Sequence, residues 1–420
     1  MYLIRSKGMF LDPPGQFLPS VVAVDGRTIC FVGTERDFAR DSGIDGWHEV
    51  DLSGHYLCPG LLNTHVHLAF SGCAAPREQY LAETPGMRVL RALRNAQTLL
   101  QSGVTTARDC GSDFFVLEGM REVAGKGLFD LPNLLLSGPP LTQTGGHLHF
   151  MGGEVDGTDS IRRFVRLAHK RGATSIKVMA TGGQMTPGTL PERPAFSQDE
   201  LNTVTETAGD LGLPTVSHCL SREGTVRSAL AGFHSIEHCA FFEREEHGWL
   251  RRSYDPAVTT EILRHRNSVM MGLAAGYHRL DQPRTTSAGT DHERFLLRQE
   301  RTMLDIFRQM HDAGVPMVVG TDAGVAATPF DETWLELELM VQAGLPPLEA
   351  LRGATVRAAR ALLLDRTTGR IGAGMRADLI AVRDDPLADI RACRHVDWVM
   401  CGGRIVKALP QEYERGEGRR

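Results

Sequence analysis

The sequence predicts an α/β protein, a (β/α)8 TIM barrel with a small β-sandwich domain built from both chain termini. Three observations predict this fold. Apolar β-type runs alternate with longer helical stretches through the middle of the chain. Short strands broken by Gly, Pro and Asp turns occupy both ends. Several of the central apolar runs close on a His, Lys or Asp, which is where the strands of a barrel carry their functional residues.

The first and last segments share a pattern of short predicted strands separated by turn residues. The N-terminal runs are "VVAVDGRTICFVG" and "WHEVDLSGHYL", and the C-terminal runs are "RIGAGMRADLIAVRDD" and "VDWVMCGGRIVK". Chain ends that meet are common where a domain is interrupted by an insertion. Residues 1–58 and 365–420 are therefore predicted to form one small β-sandwich domain.

Residues 59–364 are predicted to form the barrel. Eight apolar runs are its candidate strands: "GLLNTHVHL", "GVTTARDCG", "NLLLSGPPL", "TSIKVMATGG", "LPTVSHC", "HSIEHC", "SVMMGLAAG" and "PMVVGTDAG". Helical stretches lie between them, for example Met87–Ser102, Ser160–Arg171, Ser197–Leu211, His292–Ala313 and Pro347–Ala361. Eight strands with intervening helices over about 300 residues fit a barrel better than an open doubly wound sheet.

Composition narrows the class of protein. Of the 420 residues, 42% are hydrophobic, which is enough for a buried core. Lys and Arg number 46 against 51 Asp and Glu, and their scatter argues against a nucleic-acid surface. The sequence contains no uninterrupted apolar run of about 18 residues, the length that would predict a membrane span. The eight cysteines are spread singly, as expected for reduced thiols in a cytoplasmic protein.

The motif "NTHVHLAF" places His65 and His67 on the first strand of the predicted barrel. Side chains two positions apart on a strand project from the same face, so the two imidazoles can share a metal ion. An HxH spacing also occurs on ordinary surface strands. The position of this one, directly after "CPGLL", favours a metal site.

Three more polar residues close later strands of the predicted barrel. His218 ends "LPTVSHC", His238 ends "HSIEHC" and Asp322 lies in "MVVGTDAG". Each one alone is more often a hydrogen-bonded core histidine or a capping aspartate. Together with the HxH pair they predict a metal centre whose nitrogen and oxygen ligands suit zinc, with Mn²⁺ or Fe²⁺ as alternatives. Glu237 is expected to point away from it, because strand neighbours face opposite sides.

Lys177 lies within the apolar strand "TSIKVMATGG". A buried ammonium is unfavourable, and burial lowers its pKa. A neutral lysine amine can react with CO₂ to give a carbamate, a carboxylate-like anion able to bridge two cations. The alternative is a lysine paired with a nearby acid. With the other ligands present, the sequence favours the carbamate.

The residues in this order resemble the amidohydrolase superfamily. The "IKVMATGG" context and a Gly-Gly-His segment are similar to its branch of prolidase-like, carboxypeptidase-like and imidazolonepropionase-like dipeptidases. The C-terminal "GRIGAGMRADLIAV" resembles the returning β-strands of that superfamily, so the resemblance covers nearly the whole chain. It implies two divalent metal ions bridged by carboxylated Lys177. The remaining ligands it implies are His65, His67 and Asp322 for one ion and His218 and His238 for the other.

The resemblance implies hydrolysis of a C–N bond in a dipeptide or an N-acyl amino acid. A metal-activated hydroxide would attack, with Asp322 as the proton shuttle. The segment "TGGHLHF" offers His147 or His149 to stabilise the oxyanion. The Gly-Gly-His position favours His147, and the following "LHF" leaves the choice open. Tyr277 and Gly183 are further candidate substrate contacts.

Other functions are weighed on the same residues. A cyclic amide, lactone or carbamate substrate would change only the pocket. A mononuclear deaminase of this superfamily needs a Glu three residues after His218, where this chain has Ser221, and it would leave Lys177 without a role. A catalytically dead binding module is disfavoured because all six ligand positions are filled. We expect a small-molecule substrate and a homo-oligomer, with no nucleic-acid or membrane partner.

Several arginines are candidates for supporting roles. Arg108 and Asp109 close the second strand and are expected to pair with each other. Arg77, Arg279 and Arg284 lie in loops that follow strands. A guanidinium can bind a carboxylate bidentately, so these three are candidate clamps for an acidic group on the substrate.

Overall fold

The computed structural model describes residues 1–42, 46–281 and 291–409. Strands and helices alternate through the middle of this α/β chain, and both ends are built mainly of strands. The predicted α/β class is confirmed. The strands are β1 (Tyr2–Leu11), β2 (Gln16–Leu18), β3 (Val21–Asp25), β4 (Thr28–Gly33), β5 (His48–Pro59), β6 (Leu61–Val66), β7 (Val104–Asp109), β8 (Asn133–Leu136), β9 (Ile176–Met179), β10 (Thr215–Cys219), β11 (Ser235–His238), β12 (Phe242–Arg244), β13 (Leu250–Arg252), β14 (Ser268–Met270), β15 (Leu379–Val382), β16 (Val396–Cys401) and β17 (Arg404–Lys407).

Eight strands from the two ends of the chain share one hydrogen-bonded sheet. Its order is β17-β16-β15-β5-β1-β3-β4, and β2 pairs with β1. The long strand β5 is central to this order, since it pairs with β1 in parallel and with β15 in antiparallel orientation. Fully buried Trp398 packs with Ile4 and Val22 in the apolar cluster of this sheet.

The middle of the chain carries two parallel sheets. One has the order β6-β7-β8 and the other β14-β11-β10-β9. Isolated parallel bridges extend them, joining Leu141 to Val178, Val269 to Met317 and Val66 to Ala323. The segment that contains Met317 and Ala323 corresponds to the predicted strand "PMVVGTDAG", which pairs here through single bridges. A short antiparallel hairpin, β12-β13, lies outside both parallel sheets.

The helices follow the strands along the chain, and four of the five predicted examples agree with the observed ones to within two residues. The fifth, Pro347–Ala361, is two helices, because the backbone at Thr355 (φ −132°, ψ −103°) leaves helical geometry. The helices are α1 (Glu35–Ser42), α2 (Pro76–Ala82), α3 (Pro85–Gln101), α4 (Phe114–Lys126), α5 (Thr158–Lys170), α6 (Gln198–Asp210), α7 (Arg222–Leu230), α8 (Pro256–Arg264), α9 (Leu273–Asp281), α10 (Asp291–Asp312), α11 (Thr333–Gln342), α12 (Pro347–Gly353) and α13 (Val356–Ala361).

Helix ends follow from local sequence. Ser197 begins α6 with a capping box, in which its hydroxyl accepts from the Glu200 amide and the Glu200 carboxylate accepts from the Ser197 amide. Asp113 caps α4, which ends at Gly127 in the left-handed conformation. Within the described ranges, none of the helices is both long enough and apolar enough to cross a bilayer.

Candidate active site

The centre of the site is formed by β6 and the segment that pairs with it. The Nε2 atoms of His65 and His67 lie 3.3 Å apart, and Oδ1 of Asp322 lies 3.3 Å from each of them. His65 is fully buried and His67 nearly so. Two nitrogens and one carboxylate oxygen thus face a common point, and this donor set suits a divalent cation.

Backbone hydrogen bonds hold Asp322 against β6. Its amide donates to the carbonyl of His65 (2.9 Å), and the amide of His67 donates to the carbonyl of Ala323 (2.8 Å). Asp322 has a positive φ of 58°, which is uncommon for a non-glycine residue and turns its side chain toward the two imidazoles. Desolvation opposes the charge of this carboxylate, but His65 and His67 hold the pKa of Asp322 well below its usual range.

His218 and His238 complete a cluster of imidazoles at the ends of β10 and β11. Their ring centroids lie 4.7 Å apart, and the ring of His238 lies 5.1 Å from that of His65. Ligand atoms of His65, His238 and Asp322 all lie within 4.8 Å of one another. Desolvation lowers the pKa of His238 to about 3 and the pKa of His218 well below its ordinary value. Both rings are therefore neutral at physiological pH, the form in which imidazole binds metals.

Lys177 is buried in β9, with only 1% of its surface exposed. Among the described residues, its Nζ has no hydrogen-bond partner. After desolvation, the charge of this lysine is among the causes that lower the pKa of His65 and His218, so it lies in the same electrostatic environment. A buried ammonium without a partner is energetically unfavourable, because nothing compensates the lost hydration of its charge. The alternative considered for Lys177, an ion pair with a nearby acid, is not observed in the described part of the chain.

Glu237 does not point away from the centre as predicted. It is fully buried, and its Oε2 lies 2.5 Å from Nδ1 of His65. The prediction assumed that strand alternation continues to the end of β11. His238 instead has a φ of +70°, which breaks the alternation and lets both neighbouring side chains face inward.

The predicted pair of Arg108 with Asp109 is also wrong. Nε of Arg108 donates to the carbonyl of Thr64 (2.8 Å), and its Nη2 lies 3.3 Å from Oε1 of Glu237. Asp109 instead accepts a hydrogen bond from the amide of Leu68 (2.8 Å). Consecutive residues of β7 face opposite sides of the strand, so their side chains reach different neighbours.

The structure places His147 in the site. Its ring centroid lies 4.8 Å from that of His218, and its Nδ1 lies 3.0 Å from Oγ1 of Thr186. Gly183 makes room for this ring, because a Cβ at position 183 would overlap it. Desolvation lowers the pKa of His147 to about 3, so the ring is neutral. His149 starts a short 3-10 helix, His149–Met151, and does not line the site.

A cavity of about 700 Å³ opens above these residues. His67, His147, His218, His238 and Asp322 line one part of it. The remaining wall is largely apolar, with side chains from the β12-β13 hairpin, from α10 and from the loops. Its large apolar members are Phe70, Leu148, Met179, Met185, Leu220, Phe242, Trp249, Leu250, Met271, Phe295, Leu296 and Met303.

The structure separates the remaining candidates. Arg77 lines the cavity, and its guanidinium lies 3.1 Å from the Glu78 carboxylate. Tyr277 is 44% exposed on α9 and is not among the cavity-lining residues of the described chain. Arg284 and the side chain of Arg279 lie outside the described residues.

Sequence reasoning missed the aromatic wall of the cavity. Its source is the hairpin that carries Phe242 and Trp249, with a turn at Gly248 (φ +81°). A turn glycine between two runs of β-type residues was the available signal, in "FFEREEHGWLRR". Arg252 lies on the same hairpin, with its guanidinium 4.9 Å from the ring of Phe242 and 3.9 Å from the carboxylate of Glu300.

Known proteins are similar to this chain over nearly its whole length. Ochratoxinase from Aspergillus niger is 28% identical over 440 residues, covering 95% of this chain and 85% of that protein. Imidazolonepropionase from Anaeromyxobacter dehalogenans is 26% identical over 441 residues, covering 93% and 91%. A crystal structure of a Xaa-Pro dipeptidase with bound methionine in the active site has a TM-score of 0.85 and 26% identity, covering 97% of this chain and 100% of that one.

These similarities confirm the resemblance to prolidase-like and imidazolonepropionase-like hydrolases. A crystal structure of A. niger ochratoxinase also superposes, with a TM-score of 0.83 and 25% identity over 97% of this chain and 95% of that one. Residues 56–406 match the amidohydrolase family. The chain therefore belongs to the amidohydrolase family and is a hydrolase.

Proposed function

We propose that the protein is a binuclear metal-dependent hydrolase that cleaves the amide bond of N-acyl amino acids or dipeptides. The observation that carries the proposal is the convergence of three ligand atoms, from His65, His67 and Asp322, beside two neutral imidazoles and a buried lysine. The similarity to ochratoxinase and to a Xaa-Pro dipeptidase supports amide or peptide substrates.

The residues present fit two divalent cations, which we propose to be Zn²⁺. His65, His67 and Asp322 would hold one, and His218 and His238 the other. Lys177, carboxylated by CO₂, would bridge them, and its unpartnered Nζ is the observation that favours this modification. When bound, such cations supply hydroxide at neutral pH and polarise the scissile carbonyl.

Asp322 is the proton shuttle in this proposal. Its low pKa keeps it ionised, so it can accept the proton of the attacking water. The same carboxyl then delivers this proton to the nitrogen of the leaving amine. Its Oδ1 lies 3.3 Å from the Nε2 atom of each of the two imidazoles.

His147 is proposed to donate a hydrogen bond to the carbonyl oxygen as negative charge develops on it. Oγ1 of Thr186 accepts from the amide of Leu148 (3.0 Å), and we propose that its own proton is donated to Nδ1 of His147, which lies 3.0 Å away. Because the ring is neutral, its proton is then on Nε2, where it can serve the substrate. His149, whose predicted role was the same, lies off the cavity.

The cavity wall favours one substrate class within this proposal. An apolar surface of this extent, with aromatic side chains Phe242, Trp249 and Phe295, suits an N-acyl amino acid with a large apolar acyl group better than a small polar dipeptide. A cyclic amide, lactone or carbamate would use the same site. Deamination is disfavoured, because Ser221 stands at the position where that reaction would need a glutamate. Its hydroxyl instead caps α7 by accepting from the amide of Gly224.

We also propose that residues 59–364 form a closed (β/α)8 barrel. The parallel bridges of Leu141 to Val178, Val269 to Met317 and Val66 to Ala323 support closure. Residues 1–58 and 365–420 would form the small β-sandwich domain, which the shared sheet of the two chain ends supports.

The first test is metal content by elemental analysis, on protein produced with added Zn²⁺ and bicarbonate. The proposal expects about two metal ions per chain, and a collapse of that ratio in Lys177→Ala. Lys126→Ala is the matched control, since Lys126 is an exposed lysine on α4 paired with Glu122. A ratio of one or less that Lys177→Ala leaves unchanged would refute the bridging role.

The second test is a substrate panel of N-acyl amino acids, dipeptides, cyclic amides, lactones and carbamates. Release of the free amino acid from aryl-acyl amides, abolished by a chelator and restored by Zn²⁺, would support the proposal. A fully metallated protein that hydrolyses only lactones or carbamates would redirect it to the alternative.

A further inference from the structure

We propose that Glu237 is a positioning residue that fixes the tautomer of His65 and so presents one defined nitrogen of that ring to a metal ion. The inference rests on the proposed function, because it requires a metal ion at His65. It concerns a residue whose side chain contacts His65 and is not among the cavity-lining residues of the described chain.

Both oxygens of the Glu237 carboxylate are occupied by other side chains. Oε2 lies 2.5 Å from Nδ1 of His65. Oε1 accepts hydrogen bonds from the hydroxyl of Ser235 and from Nη2 of Arg108, the latter at 3.3 Å. The residue is fully buried. A buried carboxylate is maintained only where such partners compensate its lost hydration, so these contacts define its orientation.

The contact with Glu237 divides the two nitrogens of His65 between two tasks. Nδ1 lies 2.5 Å from a carboxylate oxygen, which is a hydrogen-bond acceptor, so in the proposed arrangement Nδ1 carries the proton. Nε2 then has a free lone pair with which to bind a metal ion. This atom lies 3.3 Å from both Nε2 of His67 and Oδ1 of Asp322. In His67 the Nδ1 has no hydrogen-bond partner among the described residues, so His65 is the better defined ligand of the pair.

Arg108 ties the carboxylate to the strand that carries the ligand. Its Nε donates to the carbonyl of Thr64 (2.8 Å), the residue before His65, while its Nη2 reaches Glu237. Three strands, β6, β7 and β11, are thus joined through side chains that are fully buried. A displacement of the carboxylate would therefore move the ring and its backbone relative to Asp322.

An alternative role for Glu237 would be to bind a cation itself, together with His65 and Cys110. Ligand atoms of His65, Cys110 and Glu237 lie within 4.8 Å of one another. The guanidinium of Arg108, already 3.3 Å from the carboxylate, supplies the positive charge there and repels a metal ion. The cluster is accordingly assigned to orientation of His65.

The test compares the affinity for Zn²⁺ of the wild-type protein and of Glu237→Gln, by competition with a chromophoric chelator at neutral pH. Loss of a carboxylate partner of a ligating histidine typically weakens metal binding by about 10- to 100-fold, and we expect a loss in that range. Asp378→Asn is the matched control, because Asp378 is a buried carboxylate that pairs with Arg376 (3.2 Å) in the terminal sheet region.

Thermal unfolding of the chelator-treated proteins separates positioning from packing. The proposal holds if both variants lose similar stability but only Glu237→Gln loses affinity for Zn²⁺. It is overturned if Glu237→Gln binds Zn²⁺ as tightly as wild type, or if Asp378→Asn weakens binding equally. If Glu237→Gln does not fold, Ser235→Ala removes one hydrogen bond to the same carboxylate and should weaken Zn²⁺ binding in the same direction. A wild-type protein that binds no metal would instead refute the proposed function.

Discussion

Replacement of Gly183 by alanine should reduce turnover without removing the metal ions. A Cβ at position 183 would come within 3.0 Å of three ring atoms of His147, whereas ordinary van der Waals contact begins near 3.4 Å. The ring must therefore move by roughly 1 Å. The backbone at Gly183 does not require positive φ, so the added methyl group is the only disturbance.

A displacement of that size in a group that stabilises the oxyanion costs about 10²-fold in rate, or about 2.7 kcal/mol of activation free energy. The assay is kcat on an aryl-acyl amino acid, with elemental analysis and thermal unfolding of the same samples. Gly125→Ala is the control, since a Cβ at that position on α4 meets no other atom within 4 Å. Full activity in Gly183→Ala would refute the role of His147, and loss of metal would show that the substitution acts elsewhere.

Three further predictions concern the surroundings of the site. Thr186→Val removes the hydroxyl that orients His147, and kcat should fall about five- to tenfold, measured in the same amide assay with metal content unchanged. Trp249→Ala should raise KM for aryl-acyl amides by about tenfold or more while leaving N-acetyl substrates nearly unaffected, because it removes apolar cavity wall. Burial raises the pKa of Glu336 to about 7, although the amides of Leu273 and Ala274 donate to it. The protonated side chain therefore contributes fully to the free energy of unfolding below pH 4.5, and this contribution, up to about 3 kcal/mol, is lost as the pH rises through 7. Urea denaturation of Glu336→Gln at a series of pH values should not show this loss.

The candidate ligands could be predicted from the sequence, because parallel strands bring their C-terminal ends together. Each of His65, His218 and His238 closes an apolar run, and this pattern needs no knowledge of neighbours. The structure brings them together with Asp322 as that rule requires. The metal ions, the carbamate on Lys177 and the roles of the residues remain predictions.

The position of Glu237 could not be predicted from strand alternation. That rule holds only while φ stays in the β region, and the positive φ of His238 depends on the loop that follows β11. The aromatic wall is a second example. Phe295 and Trp249 are far apart in sequence, and their ring centroids meet at 4.9 Å only because α10 packs over the β12-β13 hairpin. Pairings of this kind are tertiary and leave no local periodicity to detect.

The antiparallel pairing of β5 with β15 has a consequence for how the protein is made. Roughly 320 residues of chain separate Pro59 from Leu379, so β5 emerges from the ribosome long before one of its two neighbours exists. During that interval one edge of β5 offers unpaired amides and carbonyls, a template for association with other chains. Prematurely terminated products would keep that edge open, and the cell's chaperones and proteases could recognise them by it. The strand that leads directly into the HxH motif thus acquires this partner only after the residues between them have been made.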